Sequence, residues 1–418
     1  MALTSAESEE TSRVGEPLQR ATSLPLAMAA PARADVTTLV RGLAPNVRAV
    51  YAHVPFCFHK CHYCDFYSFV DAEDRQPAYV ERLSREIRAA VPFFTREVET
   101  IFVGGGTPTL LRPPLLRAAL DVLRKSVPLA PGAEWTVEAN PETVTNEVAD
   151  VLVTGGVNRV SLGAQSFDPR HLKTLERWHD PMSVGRAVAA LRAAGIGRIN
   201  VDLIFGIPGS TLEDWQRDLD SALALGPEHI SCYGLTYEPN TAMTKRLERG
   251  QFEPCDEDVE AAMYEYTLAA LAARGFDQYE ISNWAKPGEA CRHNLLYWTN
   301  ADWWALGPSA SGHVQGTRFK NIPRITDWLL SDGASPVVDV ETPDAERRAG
   351  EILMLGLRLN AGLGEAEVEA CFETSRGVER RAAIDRHRAG GLLEFTDGRL
   401  RFTRHGQLLA DEVLADLV

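Results

Sequence analysis

The stretch Tyr51–Ser68 reads YAHVPFCFHKCHYCDFYS and holds three of the chain's seven cysteines, Cys57, Cys61 and Cys64. Their spacing is C-x3-C-x2-C, and thiolates packed this tightly on one loop favour zinc, copper(I) or an iron–sulfur cluster. A structural zinc site needs a fourth ligand, and His59 and His62 lie too close to the cysteines to share one metal with them. The spacing therefore favours a [4Fe-4S] cluster with one open iron over a zinc site or an unliganded cysteine-rich turn.

Length and composition restrict the class of protein. The chain has 418 residues, is 45% hydrophobic and 24% charged, and so predicts a globular protein of about two or three domains. Its net charge of −15 makes a nucleic-acid backbone an unfavourable partner. No apolar run reaches the roughly 18 residues of a transmembrane segment. Clustered cysteines suit a reducing compartment, which predicts a cytoplasmic protein.

Residues 1–45 differ in composition from the rest of the chain. They are rich in Ala, Ser, Thr, Glu and Pro and lack hydrophobic periodicity, which predicts a disordered N-terminal extension. The piece LPLAMAA, followed by PARA, is weakly similar to an export signal. The acidic residues that precede it oppose that interpretation, because a signal peptide begins with a basic region.

From Arg48 onward, short apolar runs alternate with longer amphipathic ones. The predicted strands are Ala49–Val54, Thr100–Val103, Glu134–Glu138, Arg159–Leu162, Ile199–Leu203 and His229–Tyr233. The predicted helices between them are Pro77–Ala90, Pro113–Lys125, Asn146–Thr154, Ser183–Ala194 and Leu212–Leu225. Strand–helix units in series indicate an α/β fold with a parallel sheet, here a partial (β/α)6 TIM-like barrel over residues 46–282.

The polar and glycine motifs fall at the carboxyl ends of the predicted strands, where such barrels carry their active sites. The cysteine loop follows the first strand, and Gly104-Gly105-Gly106-Thr107-Pro108 follows the second. Glu138, Gln165 and Asp202 end the third, fourth and fifth strands. Taken singly, a tight turn explains the glycines, and a helix cap or buried ion pair explains each carboxylate. Their shared position at one end of the predicted barrel instead favours one site for a cationic, hydroxyl-rich ligand.

The densest aromatic patch lies in the second half of the chain, where four of the eight tryptophans occur between residues 284 and 304. Cys291–Trp298 reads CRHNLLYW, and Trp303 and Trp304 follow shortly after. Histidine among aromatic rings suits a flat apolar ligand with a central metal, such as haem. The residues alone favour the alternative, a core aromatic cluster with His293 hydrogen bonded inside it.

The cysteine loop, with Tyr63 before its last cysteine, resembles that of the radical S-adenosylmethionine superfamily. YAHVPFC resembles one branch of it, which holds the oxygen-independent coproporphyrinogen oxidases and the HemW haem chaperones. The resemblance implies that the open iron of the cluster binds S-adenosylmethionine, and it assigns no catalytic residue. By the same resemblance, the residues around S-adenosylmethionine are Tyr51, Tyr63, Gly105, Gly106, Thr107, Glu138, Gln165, Arg177 and Asp202.

The string HNLLYW resembles the HNxxYW motif of HemW, which implies that His293 binds haem, with His53 or His313 as the next candidates. The aromatic rings that are then expected to pack against the porphyrin are those of Tyr297, Trp298, Trp303 and Trp304. Residues 283–418 are predicted to hold this motif and the family's small α+β C-terminal domain, which ends in a hairpin turned by Asp397-Gly398.

Phe66 stands where the oxidases carry a fourth cysteine. The resemblance thus predicts a haem chaperone, a protein that binds haem and transfers it to an acceptor protein. The alternative is a coproporphyrinogen III oxidase-like decarboxylase of porphyrin biosynthesis, and a zinc-stabilised barrel is a third. The expected partners are haem and the acceptor protein, with no nucleic acid, and a homodimer is left open.

Overall fold

The computed structural model describes residues 34–42 and 45–418. Most of the predicted disordered extension, residues 1–45, lies outside the described residues. Its described part contains a short helix, α1 (Val36–Leu39), capped by the Asp35 side chain. The prediction of disorder is wrong for residues 34–42, because Val36 and Val40 are buried in the main hydrophobic core.

The predicted barrel strands alternate with helices along the chain, and they are parallel to one another. In chain order the elements are β1 (Ala49–Val54), α2 (Gln76–Ala90), β2 (Val98–Gly105), α3 (Pro113–Ser126), β3 (Leu129–Ala139), α4 (Asn146–Gly155), β4 (Arg159–Gln165), α5 (Pro169–Thr174), α6 (Pro181–Ala194), β5 (Arg198–Phe205), α7 (Leu212–Ala224) and β6 (His229–Gly234). The predicted partial (β/α)6 barrel is confirmed.

Local sequence signals explain where several of these elements begin and end. Thr211 and Asp214 form a capping box that starts α7, and the Thr145 side chain caps α4. Gly156 follows α4 with φ +103°, a conformation that glycine adopts without steric cost. The two threonine caps fix the helix starts that follow the carboxyl ends of β3 and β5, where polar motifs lie.

The sheet continues beyond the barrel on both sides. The next elements are α8 (Ala242–Glu248), α9 (Glu257–Ala273), β7 (Asp277–Glu280), β8 (Asn283–Ala285), α10 (Arg292–Trp298), β9 (Trp303–Leu306), β10 (Ser311–Val314), β11 (Thr317–Asn321), α11 (Ile325–Leu330) and β12 (Val337–Glu341). The strand order is β12-β11-β10-β9-β1-β2-β3-β4-β5-β6-β8-β7, and β9 pairs with β1 in parallel. The predicted division between residues 282 and 283 falls in the turn between paired strands β7 and β8, and it stays a proposal.

The C-terminal residues form a small α+β unit with its own hydrophobic core. Its elements are α12 (Ala345–Arg358), β13 (Leu363–Gly364), α13 (Glu365–Cys371), α14 (Gly377–Ala389), β14 (Leu393–Thr396), β15 (Arg399–Phe402), α15 (Arg404–Leu408) and α16 (Ala410–Ala415). Asp397 and Gly398 turn the predicted hairpin with φ +53° and +70°, as a type I′ turn requires. Within the described ranges, no helix is both long and apolar enough to cross a bilayer.

Candidate cluster and cofactor site

A cavity of about 870 Å³ lies at the carboxyl ends of the barrel strands. The three clustered cysteines line it, as do all but one of the residues predicted around S-adenosylmethionine. The exception is Tyr51, whose ring stacks on Phe102 and whose hydroxyl lies 3.0 Å from Nδ1 of His53. Tyr51 therefore contacts residues next to the cavity, and the rest of the predicted set is brought together in one place.

The cysteine loop is anchored at its start by backbone pairing. The N–H of Cys57 donates to the carbonyl of Phe69 at 3.0 Å, and the rings of Phe56 and Phe69 pack edge to face. The Cys64 N–H donates to the carbonyl of Cys61 at 3.3 Å, which turns the loop back on itself. All seven cysteines of the chain are free thiols, so the three in the loop are available as ligands. Three thiols on one cavity wall fit a [4Fe-4S] cluster with one open iron.

The glycine motif brings the end of β2 against the start of the cysteine loop. Gly106 and Thr107 donate their backbone N–H groups to the carbonyls of Val54 and Phe56, each at 2.7 Å. A Cβ atom on Gly106 would lie 2.7 Å from the Phe56 carbonyl oxygen. Gly105 has φ +108°, and a Cβ there would lie 2.3 Å from the His53 ring. Glycine is therefore needed at both positions, because neighbouring backbone crowds Gly106 and the His53 ring crowds Gly105.

Glu138 at the end of β3 faces the glycine motif across the cavity wall. Its Oε2 accepts a hydrogen bond from the Gly105 N–H at 2.8 Å. Burial, together with the nearby Asp202 carboxylate, raises the pKa of Glu138 to about 7 against the opposing hydrogen bond from the Gly105 N–H. A cationic ligand in the cavity would favour the ionised carboxylate.

Asp202 on β5 belongs to a hydrogen-bond network inside the barrel. It accepts from the Ser161 hydroxyl and the Asn200 amide, each at 2.7 Å, and burial raises its pKa. Asn200 also contacts His229, whose other ring nitrogen lies 2.9 Å from the Tyr279 hydroxyl. The network fixes the Asp202 carboxylate in one orientation toward the cavity.

Arg177 links the fourth strand to the cysteine loop. Its guanidinium donates to the Gly163 carbonyl at 2.6 Å and to Cys61 Sγ at 3.6 Å. A Cβ on Gly163 would lie 2.8 Å from the guanidinium, so this position accommodates only glycine without a shift. Gln165, two residues later, has φ +67° at a register shift between β4 and β5. The irregular end of β4 therefore leaves room for Arg177 at the cavity wall.

Comparison with known proteins agrees with this arrangement. The sequence profile of the radical SAM superfamily matches residues 51–222, and that of the HemN C-terminal domain matches residues 344–409. Heme chaperone HemW of Mycobacterium tuberculosis is 39% identical, over 90% of this chain and 97% of that protein. Heme chaperone HemW of Escherichia coli is 41% identical over 64% of this chain and 70% of that protein.

The chain belongs to the HemW family. Among solved structures, the coproporphyrinogen III oxidase HemN from Escherichia coli superimposes with a TM-score of 0.79. It is 20% identical and the match covers 90% of this chain and 91% of that one. At this level of identity, the likeness shows a shared fold.

The residues that carry the HemW motif lie deep in the same cavity, where His293, Asn294 and Tyr297 contribute to its lining. His293 is 1% exposed, and both of its ring nitrogens have partners. Nδ1 lies 2.7 Å from the Thr100 hydroxyl, and Nε2 lies 2.8 Å from the Tyr297 hydroxyl. Burial lowers the pKa of His293 to about 3. Iron ligation by His293 would need one of these hydrogen bonds to break, at about 1 kcal/mol net.

The four aromatic rings that were expected to pack against a porphyrin do not surround a common space. Trp304 stacks on Phe93, with ring centroids 5.1 Å apart, whereas its neighbour Trp303 packs against Tyr297. Adjacent residues of a strand point to opposite faces of the sheet, which separates the two tryptophans. The Arg358 guanidinium lies over the Trp298 ring. The expectation that these rings together wall a porphyrin at His293 is therefore wrong.

Some cavity residues were absent from the sequence prediction. They lie on the interior faces of strands or just after a helix, and they are Thr136, Ser161, Asn200, Ser231, His229, Tyr279 and His179. A signal existed for the strand residues, because polar side chains recur at every second position in otherwise apolar strands. Nothing comparable marks His179, which follows α5 in a loop.

Proposed function

We propose that this protein is a haem chaperone that binds haem and passes it to an acceptor protein, on a radical SAM scaffold. The observation that carries the proposal is a single cavity lined by both the cysteine loop and the HNxxYW residues, in a chain that belongs to the HemW family.

The cavity suits a [4Fe-4S] cluster on Cys57, Cys61 and Cys64 together with S-adenosylmethionine. When bound, the cluster supplies single electrons, and its open iron offers a place for the amino and carboxylate groups of S-adenosylmethionine. Glu138 and Asp202 line the same cavity, and their two carboxylates supply acceptors that suit the amino and ribose hydroxyl groups of this ligand. Thr107 lies beside the first cysteine, its hydroxyl 3.7 Å from Cys57 Sγ.

The oxidase alternative is weaker than the chaperone proposal. The oxidase motif that the sequence resembles requires a cysteine where this chain has Phe66, and that side chain is 58% exposed at the cavity mouth. Likeness to HemN supports a common fold and leaves the activity open. The matches to HemW relatives extend over most of the chain, and its HNLLYW string resembles the HemW motif, so both favour transfer of haem over decarboxylation.

The proposal is tested by anaerobic purification of the full chain, followed by titration with ferric haem and a propionate-decarboxylation assay on coproporphyrinogen III. We expect haem to bind with a defined Soret band and no protoporphyrinogen IX to form in the presence of reductant and S-adenosylmethionine. Robust conversion of coproporphyrinogen III would overturn the proposal in favour of the oxidase. Transfer of bound haem to apo-cytochrome, followed by absorbance, tests the second half of the proposal.

The cellular setting follows from the same chemistry. Free thiols arranged as cluster ligands need a reducing environment, which supports a cytoplasmic location. The acceptor is a protein of unspecified identity. Homodimerisation stays a prediction that sedimentation of the cluster-loaded protein would test.

A further inference from the structure

Four histidines line the main cavity, and they differ in what their ring nitrogens contact. His229 pairs with Asn200 and Tyr279 through its two nitrogens, and both nitrogens of His293 are likewise bonded. His179 is only 5% exposed, yet neither ring nitrogen has a hydrogen-bond partner among the residues that the structure describes. A buried polar group in this state needs a partner that the described protein groups do not supply.

His179 lies between two cavities and lines both of them. The second has a volume of about 430 Å³ and opens beside α5 and the start of α6. Burial, together with the nearby Arg177 charge, lowers the pKa of His179 to about 4. The ring is therefore neutral at physiological pH, the form of imidazole that binds metals.

Three large rings at the mouth of the main cavity are exposed. Phe58, Phe66 and Trp178 have 70%, 58% and 67% of their surface accessible, and all three line the cavity together with His179. Trp178 also stacks on His59, with centroids 4.6 Å apart and planes 20° apart. Exposed aromatic side chains grouped at one opening mark a binding surface for an apolar ligand. We call Phe58, Phe66, Trp178 and His179 the aromatic rim.

We propose that haem docks at the aromatic rim, with His179 as an iron ligand and the three exposed rings against the macrocycle. The proposal rests on the proposed haem-chaperone function and names the site through which that function would work. Haem provides a flat apolar surface for the exposed rings and an iron that accepts the unpartnered imidazole of His179. Lys173, which lines the second cavity, is exposed and available to a propionate.

The position of the rim also suits transfer. A cargo held at His293 would lie on the cavity floor, where a second protein could not reach it without opening the barrel. A cargo packed against the exposed rings of Phe58, Phe66 and Trp178 presents one face to an acceptor. The same placement gives a role to Phe66, the residue at which this chain departs from the oxidase pattern.

The test uses the full chain with its cluster reconstituted anaerobically, titrated with ferric haem. We expect His179→Ala to weaken haem binding about tenfold or more and to shift the Soret band. The exposed, remote His405→Ala is the control and should leave both quantities unchanged. Cluster absorbance and circular dichroism show whether each variant is folded, and His179→Gln provides a second variant of similar size.

A rescue experiment separates iron ligation from a structural role. In His179→Gly, added imidazole should restore the wild-type Soret position, because it replaces the missing ligand in the space left by the side chain. Wild-type affinity and spectrum in all the His179 variants, or loss of haem only in His293→Ala, would overturn the rim as the binding site while leaving the chaperone function intact. Wild-type protein that fails to bind haem would overturn both.

Discussion

The Glu138 carboxylate and the Gly105 N–H, 2.8 Å apart, join two neighbouring strand ends of the barrel. Gly105 lies at the end of β2 in the glycine motif, and Glu138 lies at the end of β3. One hydrogen bond thus connects the loop that contacts the cysteines with the first of the two interior carboxylates. The consequence is that backbone geometry at Gly105 should control both stability and ligand binding.

Gly105→Ala should impair S-adenosylmethionine binding and destabilise the protein. Alanine would occupy φ +108° and place its Cβ 2.3 Å from the His53 ring, so the loop must shift. This strain should lower the free energy of unfolding by about 1–3 kcal/mol. Gly195→Ala is the matched control, because Gly195 has φ +105° but nothing within 4 Å of its Cβ. Thermal unfolding and ligand titration would compare the two, and equal behaviour would show that the contact with His53 is unimportant.

Asp202→Asn should weaken S-adenosylmethionine binding. The amide would place a donor against the Ser161 hydroxyl or the Asn200 amide, and it would remove a negative charge from the cavity. We expect the free energy of S-adenosylmethionine binding to weaken by about 1.5–3 kcal/mol. Calorimetric titration of the cluster-loaded protein measures this loss. Asp220→Asn, an exposed residue paired with Arg274, is the control and should bind as the wild type does. Wild-type affinity in Asp202→Asn would assign this carboxylate to the fold alone.

The strand–helix series could be predicted because its signals are local. Each barrel strand is a short apolar run, and the motif residues follow the strand ends where the barrel brings them together. The second strand is longer than predicted, Val98–Gly105 instead of Thr100–Val103, because Gly104 and Gly105 still pair with β1. Glycine lowers strand propensity, so composition alone ended the strand too early.

Long-range contacts account for what the sequence did not predict. The parallel pairing of Ala49 with Trp303 adds β9 to the barrel edge and joins segments about 250 residues apart. Which partner each histidine finds is likewise a property of the fold. The residues alone favoured a hydrogen-bonded His293, but they could not identify Thr100, from the distant strand β2, as one of its partners. The free nitrogens of His179 could be recognised only after the neighbouring elements were placed.

The free energy of unfolding of the apo-protein should depend on pH through Glu86. This side chain is 2% exposed, and its carboxylate accepts hydrogen bonds from the Gly307 N–H, the Asn321 amide and the Trp328 indole. Burial raises the pKa of Glu86 to about 7, although these donors and Arg82 oppose it. A carboxyl with a raised pKa in the folded state contributes full stability below about pH 4.5, and this contribution is lost as pH rises through 7.

Glu86→Gln should therefore remove part of the pH dependence. Between pH 4 and pH 8, the wild type should lose roughly 3 kcal/mol more unfolding free energy than this variant. Urea unfolding at a series of pH values measures the difference, and Glu138 contributes equally to both proteins. Glu379→Gln, at an exposed carboxylate on α14, is the control and should follow the wild type. Parallel curves for wild type and Glu86→Gln would contradict the assignment.

Three cysteines should hold the cluster, and the other four should not. Replacement of Cys57, Cys61 and Cys64 by Ala should abolish iron and sulfide binding on anaerobic reconstitution, because no other thiol lies in the loop. Cys371→Ala, a buried cysteine of the C-terminal core, is the control and should load normally. Full iron content in the triple variant would remove the cluster from this loop, and zinc in its place in the wild type would favour a structural site.

Arg177 should tune the reduction potential of the bound cluster. Its guanidinium donates to Cys61 Sγ at 3.6 Å, and both a positive charge and a hydrogen bond to a ligand sulfur favour the reduced state. Arg177→Met should therefore shift the midpoint potential to more negative values. Arg177→Lys keeps the charge but cannot span Cys61 and the Gly163 carbonyl together, so its shift should be smaller while its affinity for S-adenosylmethionine still falls.

A redox titration followed by electron paramagnetic resonance measures these potentials. Arg170→Met is the matched control, because Arg170 lies nearby on α5 but its charge is paired with Asp168 and Asp214. We expect its potential to equal that of the wild type. If Arg177→Met also leaves the potential unchanged, the guanidinium does not act on the cluster, and its bond to the Gly163 carbonyl would be its main role. A shift in Arg177→Met that Arg177→Lys largely reverses would assign the effect to the charge, since lysine restores the charge without the two-point contact.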